Sequence, residues 1–213
     1  MKTDQLIDML STNVEPVKPA RFKKTLALTL LFGGAAAFCL MLLTVGIRND
    51  VSAGILSGFV ALKLLFTLIL ISAGTVLLTK LIRPGQDGRR SYTVIFLSFL
   101  ALGLAGIAAL VIHPAAAWGH MVMGTDWVMC VLCIPLFATV PFVALIWTLR
   151  QGAPIHLRRA GAIAGLVAGA IGAVAYAFHC PDDSIPFIAL WYGVMVGMCA
   201  LIGAMLGPRL LRW

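Results

Sequence analysis

Six long, nearly uninterrupted apolar stretches dominate this chain, at roughly 25–47, 53–81, 93–113, 127–149, 160–179 and 186–207. Each reaches the ~20 residues an α-helix needs to cross the hydrocarbon core of a bilayer. Inside lipid every backbone N–H and C=O must find a partner within the protein, and an α-helix satisfies them within its own segment. Only 11% of the 213 residues are charged and 61% are hydrophobic, whereas a soluble domain carries about 25% charged residues. The expected fold class is therefore an all-α membrane protein, a six-helix transmembrane bundle over 25–207. A tail over 1–24 precedes it and a short segment over 208–213 follows it.

Turn and charge signals bound the runs: Arg48-Asn49-Asp50, Arg83-Pro84-Gly85, His113-Pro114, Arg150-Gln151-Gly152, Cys180-Pro181-Asp182-Asp183 and Gly207-Pro208. The first run is too long for a signal-peptide core and no small-x-small cleavage site follows it, so it is read as a retained span. The connecting segments are too short to form a separate soluble domain.

An excess of 16 Lys and Arg over 8 Asp and Glu would suit nucleic acid in a soluble protein. Here its distribution gives it another meaning. The tail holds Lys2, Lys18, Arg21, Lys23 and Lys24, and the second-to-third connection Lys80, Arg83, Arg89 and Arg90. The fourth-to-fifth connection holds Arg150, Arg158 and Arg159, and the C-terminus Arg209 and Arg212. The opposite loops carry one basic residue, Arg48, beside Asp50, Asp126, Asp182 and Asp183. Basic residues collect in cytoplasmic loops. Both termini are therefore expected in the cytoplasm, and the basic excess implies no direct contact with nucleic acid.

Four constellations stand out. His113, Trp118, His120, Met121, Met123, Asp126 and Trp127 precede or open the fourth run, Cys130 lies about one turn inside it, and His179-Cys180-Pro181-Asp182 closes the fifth. Spans joined by a short loop are antiparallel neighbours, which puts Cys130 and Cys180 at similar depth on the outer face, with Cys133 deeper. A cysteine there is either a small apolar packer or, at an oxidising face, half of a redox or ligand pair. Thiolate and imidazole suit soft metals, so Cys130, Cys180 and His179 are also candidate metal ligands. Cys39 and Cys199 read as packers, and Trp118, Trp127, Trp191 and Tyr192 as an interfacial belt.

Lys63 sits inside the second run, where a charge costs ~2.5–3.5 kcal/mol on insertion scales. No Asp or Glu lies in any run to pair with it. Backbone carbonyls, water, or a hydroxyl such as Thr67 or Tyr176 are its expected partners, in an interior structural or signalling role. The fifth run carries Gly161, Gly165 and Gly169, continued by Ala173 and Ala177 at i, i+4 spacing. Such a stripe admits a neighbouring helix closely, either inside the bundle or from a second copy in a homodimer. In the tail, Leu6, Ile7, Leu10 and Val14 form an apolar stripe on a short helix begun by Thr3 or Asp4 and ended by Pro16 and Pro19. So short a helix is marginal alone, and a stripe with no domain to cover it suits folding onto a partner.

Residue patterns along the whole chain resemble the NrsF-type anti-sigma factors. They are Met1-Lys2-Thr3-Asp4 with Leu6-Ile7-Asp8, Val14-Glu15-Pro16-Val17, Arg83-Pro84-Gly85, Trp127-x-x-Cys130 with Ile134-Pro135, Ala160-Gly161 to Tyr176, His179-Cys180-Pro181, and Trp191-Tyr192. The resemblance implies a six-span protein of the bacterial inner membrane. It would hold an ECF-type sigma factor in the cytoplasm and release it under heavy-metal or oxidative stress. The resemblance also makes Cys130 and Cys180 the sensing pair, with Cys133 additional, and implies no cofactor. Two rival readings are a quinone-linked thiol oxidoreductase using Cys130-x-x-Cys133 and a small-solute transporter with Lys63 in its path. The first would want a second reactive cysteine pair and the second intramembrane acids or broken helices; neither is evident.

The charge asymmetry makes a topological prediction. Alkaline phosphatase fused after Asp50, Ala117 or Asp182 should be active, and fusions after Gln86 or Gly152 inactive; activity at either of the last two would overturn the arrangement.

Overall fold

The computed structural model describes residues 19–48, 58–82, 86–152 and 154–212, with side chains from Phe22 onward. The tail stripe Leu6, Ile7, Leu10 and Val14 lies outside the described residues. Seven helices follow in chain order: α1 (Pro19–Thr44), α2 (Gly58–Leu81), α3 (Arg89–Ile112), α4 (Ala115–Met123), α5 (Trp127–Arg150), α6 (Leu157–Ala177) and α7 (Ile185–Leu210). All but α4 are long and apolar enough to cross a membrane, and no strand occurs among the described residues. The protein is an all-α, multi-pass membrane protein.

Several boundaries differ from the sequence reading. The first helix begins at Pro19, where a proline suits the opening turn because its missing N–H has no intrahelical partner there. Pro208 does not end the last helix, which runs on to Leu210. α5 likewise continues through Pro135 and Pro141. The short α4 occupies residues expected only to lead into the fourth span. Its start, Ala115-Ala116-Ala117, is strongly helix-forming, and Gly124 ends it with φ +60°. One turn of α7, Ile188–Tyr192, is π-helical, a widening that shifts the faces of the side chains on either side.

α6 is the central helix. Of its most apolar stretch, 89% is buried inside the bundle, against 17% for α3 at the periphery. It packs against α7, α5, α2 and α1, whereas α3 leans on α2 and on the start of α7. Small residues make this crowding feasible. A Cβ added at Gly161 would meet the Gly203 carbonyl oxygen of α7, and one at Gly165 the Cys199 carbonyl oxygen. A Cβ at Gly203 would meet the carbonyl oxygen of Gly161 in return. The backbones of α6 and α7 are thus in direct contact. The glycine stripe is buried against α7 in the same chain, so it offers no face to a second copy. Cys199 is one of the buried residues at this seam, as a small packer should be.

The two ends of the bundle differ in charge. At one, the basic end, Lys23, Lys24, Lys80, Arg89, Arg90, Arg150, Arg158, Arg159, Arg209 and Arg212 flank the helices. There the buried hydroxyls of Thr29 and Thr148, 2.7 Å apart, tie α1 to α5. The other end, the acidic end, carries Arg48, Asp126, Asp182 and Asp183.

The α6–α7 contact gives a direct test. Gly165→Val drives methyl groups into the α7 backbone, and overpacking of that kind costs about 3 kcal/mol. The purified variant should melt roughly 5–10 °C lower or lose its monodisperse state. Gly197→Val, at a position with nothing within 4 Å of an added Cβ, should melt as the wild type does. Equal melting of both variants would mean that the contact is looser than described.

Candidate functional site

The connection from α6 to α7, residues 178–184, gathers most of the polar chemistry of the acidic end. Its composition explains why it cannot lie flat on the surface. Cys180 is fully buried, and a buried loop exposes backbone carbonyls that must be met by donors from elsewhere. Those donors are cations. Arg48 Nη1 donates to the Cys180 carbonyl at 2.8 Å, and Lys63 Nζ donates to the same oxygen at 3.2 Å. Asp183 then balances both. Its carboxylate takes the two Arg48 guanidinium nitrogens at 3.2 Å each and Lys63 Nζ at 3.3 Å.

This corrects the expectation for Lys63. The ammonium is fully buried, but its acid comes from a loop 120 residues away rather than from a span. The described helix starts at Gly58, so Lys63 lies in its second turn and the loop reaches down to meet it. Among the described residues, the expected carbonyl partner is that of Cys180, and the two expected hydroxyls bond elsewhere. The Thr67 hydroxyl donates to the Lys63 carbonyl at 2.8 Å, and the Tyr176 hydroxyl to the Asp126 carbonyl at 3.4 Å. Lys63 Nζ also stands 5.8 Å from the centre of the Tyr192 ring, within cation–π range.

The remaining loop residues reach the segment after α1, α4 and the α4–α5 joint. His179 Nδ1 is 3.0 Å from the Gly46 carbonyl oxygen, just past α1, and the Arg48 backbone N–H donates to the Phe178 carbonyl. The Asp182 carboxylate accepts from the Thr125 N–H at 2.8 Å, the Thr125 hydroxyl at 2.9 Å and the Asp126 N–H at 2.9 Å. It thereby fastens the joint between α4 and α5. Gly124 is required there: its φ is +60°, and a Cβ would lie 2.6 Å from the Asp182 carboxylate and 2.7 Å from the Phe187 ring. The Ser184 hydroxyl donates to the Met121 carbonyl of α4 at 2.6 Å and accepts from the Phe187 N–H at the start of α7. Trp191 completes the clasp. Its Nε1 donates to the Val122 carbonyl at 2.9 Å, and its ring stacks on Trp127 with centroids 5.1 Å apart.

The sequence-derived cysteines meet at this hub. Cys130, Cys133 and Cys180 are all buried and all free thiols. The Cys130 sulfur lies near those of Cys180 and Cys133 and near Lys63 and Asp182. Burial pushes the Cys180 thiol up, while the Lys63 ammonium and a long contact from its sulfur to the Asp182 carbonyl at 4.0 Å pull it down. Burial prevails, so Cys180 rests as a neutral thiol in this state. Tyr192, expected in the interfacial belt, is instead fully buried, and its hydroxyl finds no hydrogen-bond partner among the described residues. That hydroxyl lies near the Cys180 sulfur without the geometry of a hydrogen bond. The π-helical turn that ends at Tyr192 was not legible in the sequence. No group of three or more His, Cys, Asp or Glu side chains among the described residues is placed to hold a metal ion.

Beside the hub a cavity of about 400 Å³ opens at the acidic end, lined by His113, His120, Met121, Asp182, Asp183 and Ser184. It borders the loop that carries Cys180 at Asp182, Asp183 and Ser184. Cys39 is exposed on α1, away from this cluster.

The charge cluster makes a ranked prediction. Asp183→Asn leaves the buried Lys63 ammonium without its acid, a change that costs about 3 kcal/mol. Lys63→Met leaves Asp183 still paired with Arg48 and should cost less. Thermal melts should therefore rank Asp183→Asn as the more damaging, and adding Lys63→Met to it should recover part of the loss. The reverse order would show that Lys63 does not depend on Asp183.

Comparison with known proteins returns one family. The family described as Negative regulator of sigma F matches residues 10–213. A protein of Caulobacter vibrioides named anti-sigma-F factor NrsF is 36% identical over 219 aligned positions, covering the whole of both chains. One of Azospira oryzae named probable anti-sigma-F factor NrsF is 32% identical over 215 positions, again covering both chains completely. No solved structure matches the chain.

Proposed function

The chain belongs to the family of negative regulators of sigma F, and on that premise we propose that it is an inner-membrane anti-sigma factor. It sequesters an ECF-type sigma factor in the cytoplasm through the tail, with Leu6, Ile7, Leu10 and Val14 as the apolar face of the contact. Heavy-metal or oxidative chemistry at Cys130 and Cys180, with Cys133 as an additional thiol, then releases it. The observation that carries this reading is the position of Cys180. It sits in a loop that is bonded to α2, to the segment after α1, to α4 and to the α4–α5 joint. A change at its sulfur cannot stay local.

Two chemistries suit the pair. Disulfide formation takes two electrons and two protons from the thiols to an oxidant. Capture of a soft cation by two thiolates displaces two protons, and His179 can join only by way of Nε2 while Nδ1 stays with Gly46. Either event pulls the start of α5 toward the end of α6. These helices touch where a Cβ on Gly172 would lie 2.5 Å from the Ile134 carbonyl oxygen, so the strain travels along a seam with no slack. A stimulus acts only if it stabilises the two packings unequally. The family description is of a regulator, and a thiol oxidoreductase or a transporter finds no support in it.

A sigma-dependent reporter tests both halves. Leu6→Asp with Leu10→Asp should give full expression without stress. Cys130→Ser, Cys180→Ser and the double variant should share one fixed output, while Cys39→Ser and Cys199→Ser should induce like the wild type. Normal induction in the Cys130, Cys180 double variant would remove the thiol switch. Unchanged repression by the tail variant at normal protein level would move the contact elsewhere.

A further inference from the structure

A cleft of about 330 Å³ lies at the basic end, between the last turn of α2, the first turn of α3 and the start of α6. Its wall carries Lys80, Arg89 and Arg159 against one carboxylate, Asp87, with His156 beside them. Asp87 is already engaged. Its side chain accepts from the Arg89 backbone N–H at 2.9 Å, and its carbonyl accepts from Lys80 Nζ at 2.8 Å. Neither Arg89 nor Arg159 makes an ion pair among the described residues. Three cations therefore face a single carboxylate in this cleft, which leaves it net positive even with the Asp87 charge counted. The cleft is also not purely polar. Leu77 is buried in its floor, and Tyr92 and Ile155, 41% and 65% exposed, form apolar walls.

Its height in the bundle decides what such a cavity suits. α2 ends at Leu81, α3 begins at Arg89 and α6 at Leu157, so the cleft sits where the spans leave the hydrocarbon. An occupant at that depth has a phosphate at the level of the guanidinium groups and apolar chain beneath it. Basic pockets between transmembrane helices bind anionic headgroups in this way. A zwitterionic lipid would bring its own cation into a site that already holds three.

We propose that this cleft is a binding site for the phosphate-bearing headgroup of an anionic phospholipid, with Arg89, Arg159 and Lys80 on the phosphate and Tyr92 and Ile155 along the glycerol and upper chain. The site stands independently of the anti-sigma reading, since it requires only that the bundle span a bilayer. Occupancy would clamp the α2–α3 connection to the first turn of α6, the helix around which the bundle is built.

Native mass spectrometry of the full-length protein in detergent tests it, with phosphatidylglycerol, phosphatidylcholine or inorganic phosphate added in turn. Phosphatidylglycerol should remain bound where phosphatidylcholine is stripped. Arg89→Gln with Arg159→Gln should weaken it roughly thirtyfold, given the usual worth of two basic residues near anionic lipid. Arg89→Lys with Arg159→Lys keeps the charge and should retain most of the binding. Arg158→Gln, next to the cleft but not lining it, should bind as the wild type does. Equal retention of the two lipids would overturn the proposal, as would unchanged binding by a folded Arg-to-Gln pair. Displacement of phosphatidylglycerol by millimolar inorganic phosphate would make the ligand a soluble anion instead. Loss of sigma-factor binding in the Arg-to-Gln pair, with lipid retention intact, would assign the cleft to an acidic protein surface.

Discussion

A fully buried ammonium in a lipid-embedded bundle cannot be left without an anion, and much of the acidic end is arranged around that requirement. Lys63 has no acid within reach on any of the long helices, so the α6–α7 connection turns inward and delivers Asp183 and the Cys180 carbonyl to it. Arg48 closes the same cluster from beyond α1. Burial of Cys180 follows from this geometry. A thiol in a short connection between two helices, followed by two carboxylates, would ordinarily face water, but here the backbone that carries it is drawn in by two cations. In a low-dielectric setting such a cluster tolerates few intermediate arrangements, because moving one charge leaves another uncompensated. An ion cluster of this type favours distinct packings over gradual drift.

The second constraint is the contact between α6 and α7. Within lipid the usual hydrophobic drive for helix association is weak, and close packing takes over. Glycines at 161, 165, 203 and 207 let two backbones touch over several turns. Such a seam transmits displacement because no side chain lies between the helices to absorb it. The hub at one end of α6 and the cleft at its other end are therefore joined by the stiffest part of the molecule.

The six spans, their approximate limits and their charge asymmetry were legible in the sequence because lipid imposes length and polarity rules on every residue of a span. The convergence of Cys130 and Cys180 was legible in outline, since a short loop between neighbouring helices fixes which ends meet. The partner of Lys63 was not, because pairing between positions 63 and 183 leaves no periodic trace. The π-helical turn that ends at Tyr192 likewise has no compositional signal, and it moved an aromatic residue from the expected belt into the core. For the glycine stripe, the sequence offered two faces to pack on, and only the fold shows that α7 takes it. α4 was missed because nine helix-forming residues between a proline and a glycine also read as a leader into the next span.

The burial of α6 is matched by its composition. Its mean hydropathy of 1.8 is the lowest of the six spans, since glycine and alanine replace the larger aliphatics that lipid would favour. In the finished bundle α7 lies along it and covers its glycines, backbone against backbone. The feature that brings these two helices into contact is therefore also the one that makes the central helix the least lipid-like of the spans.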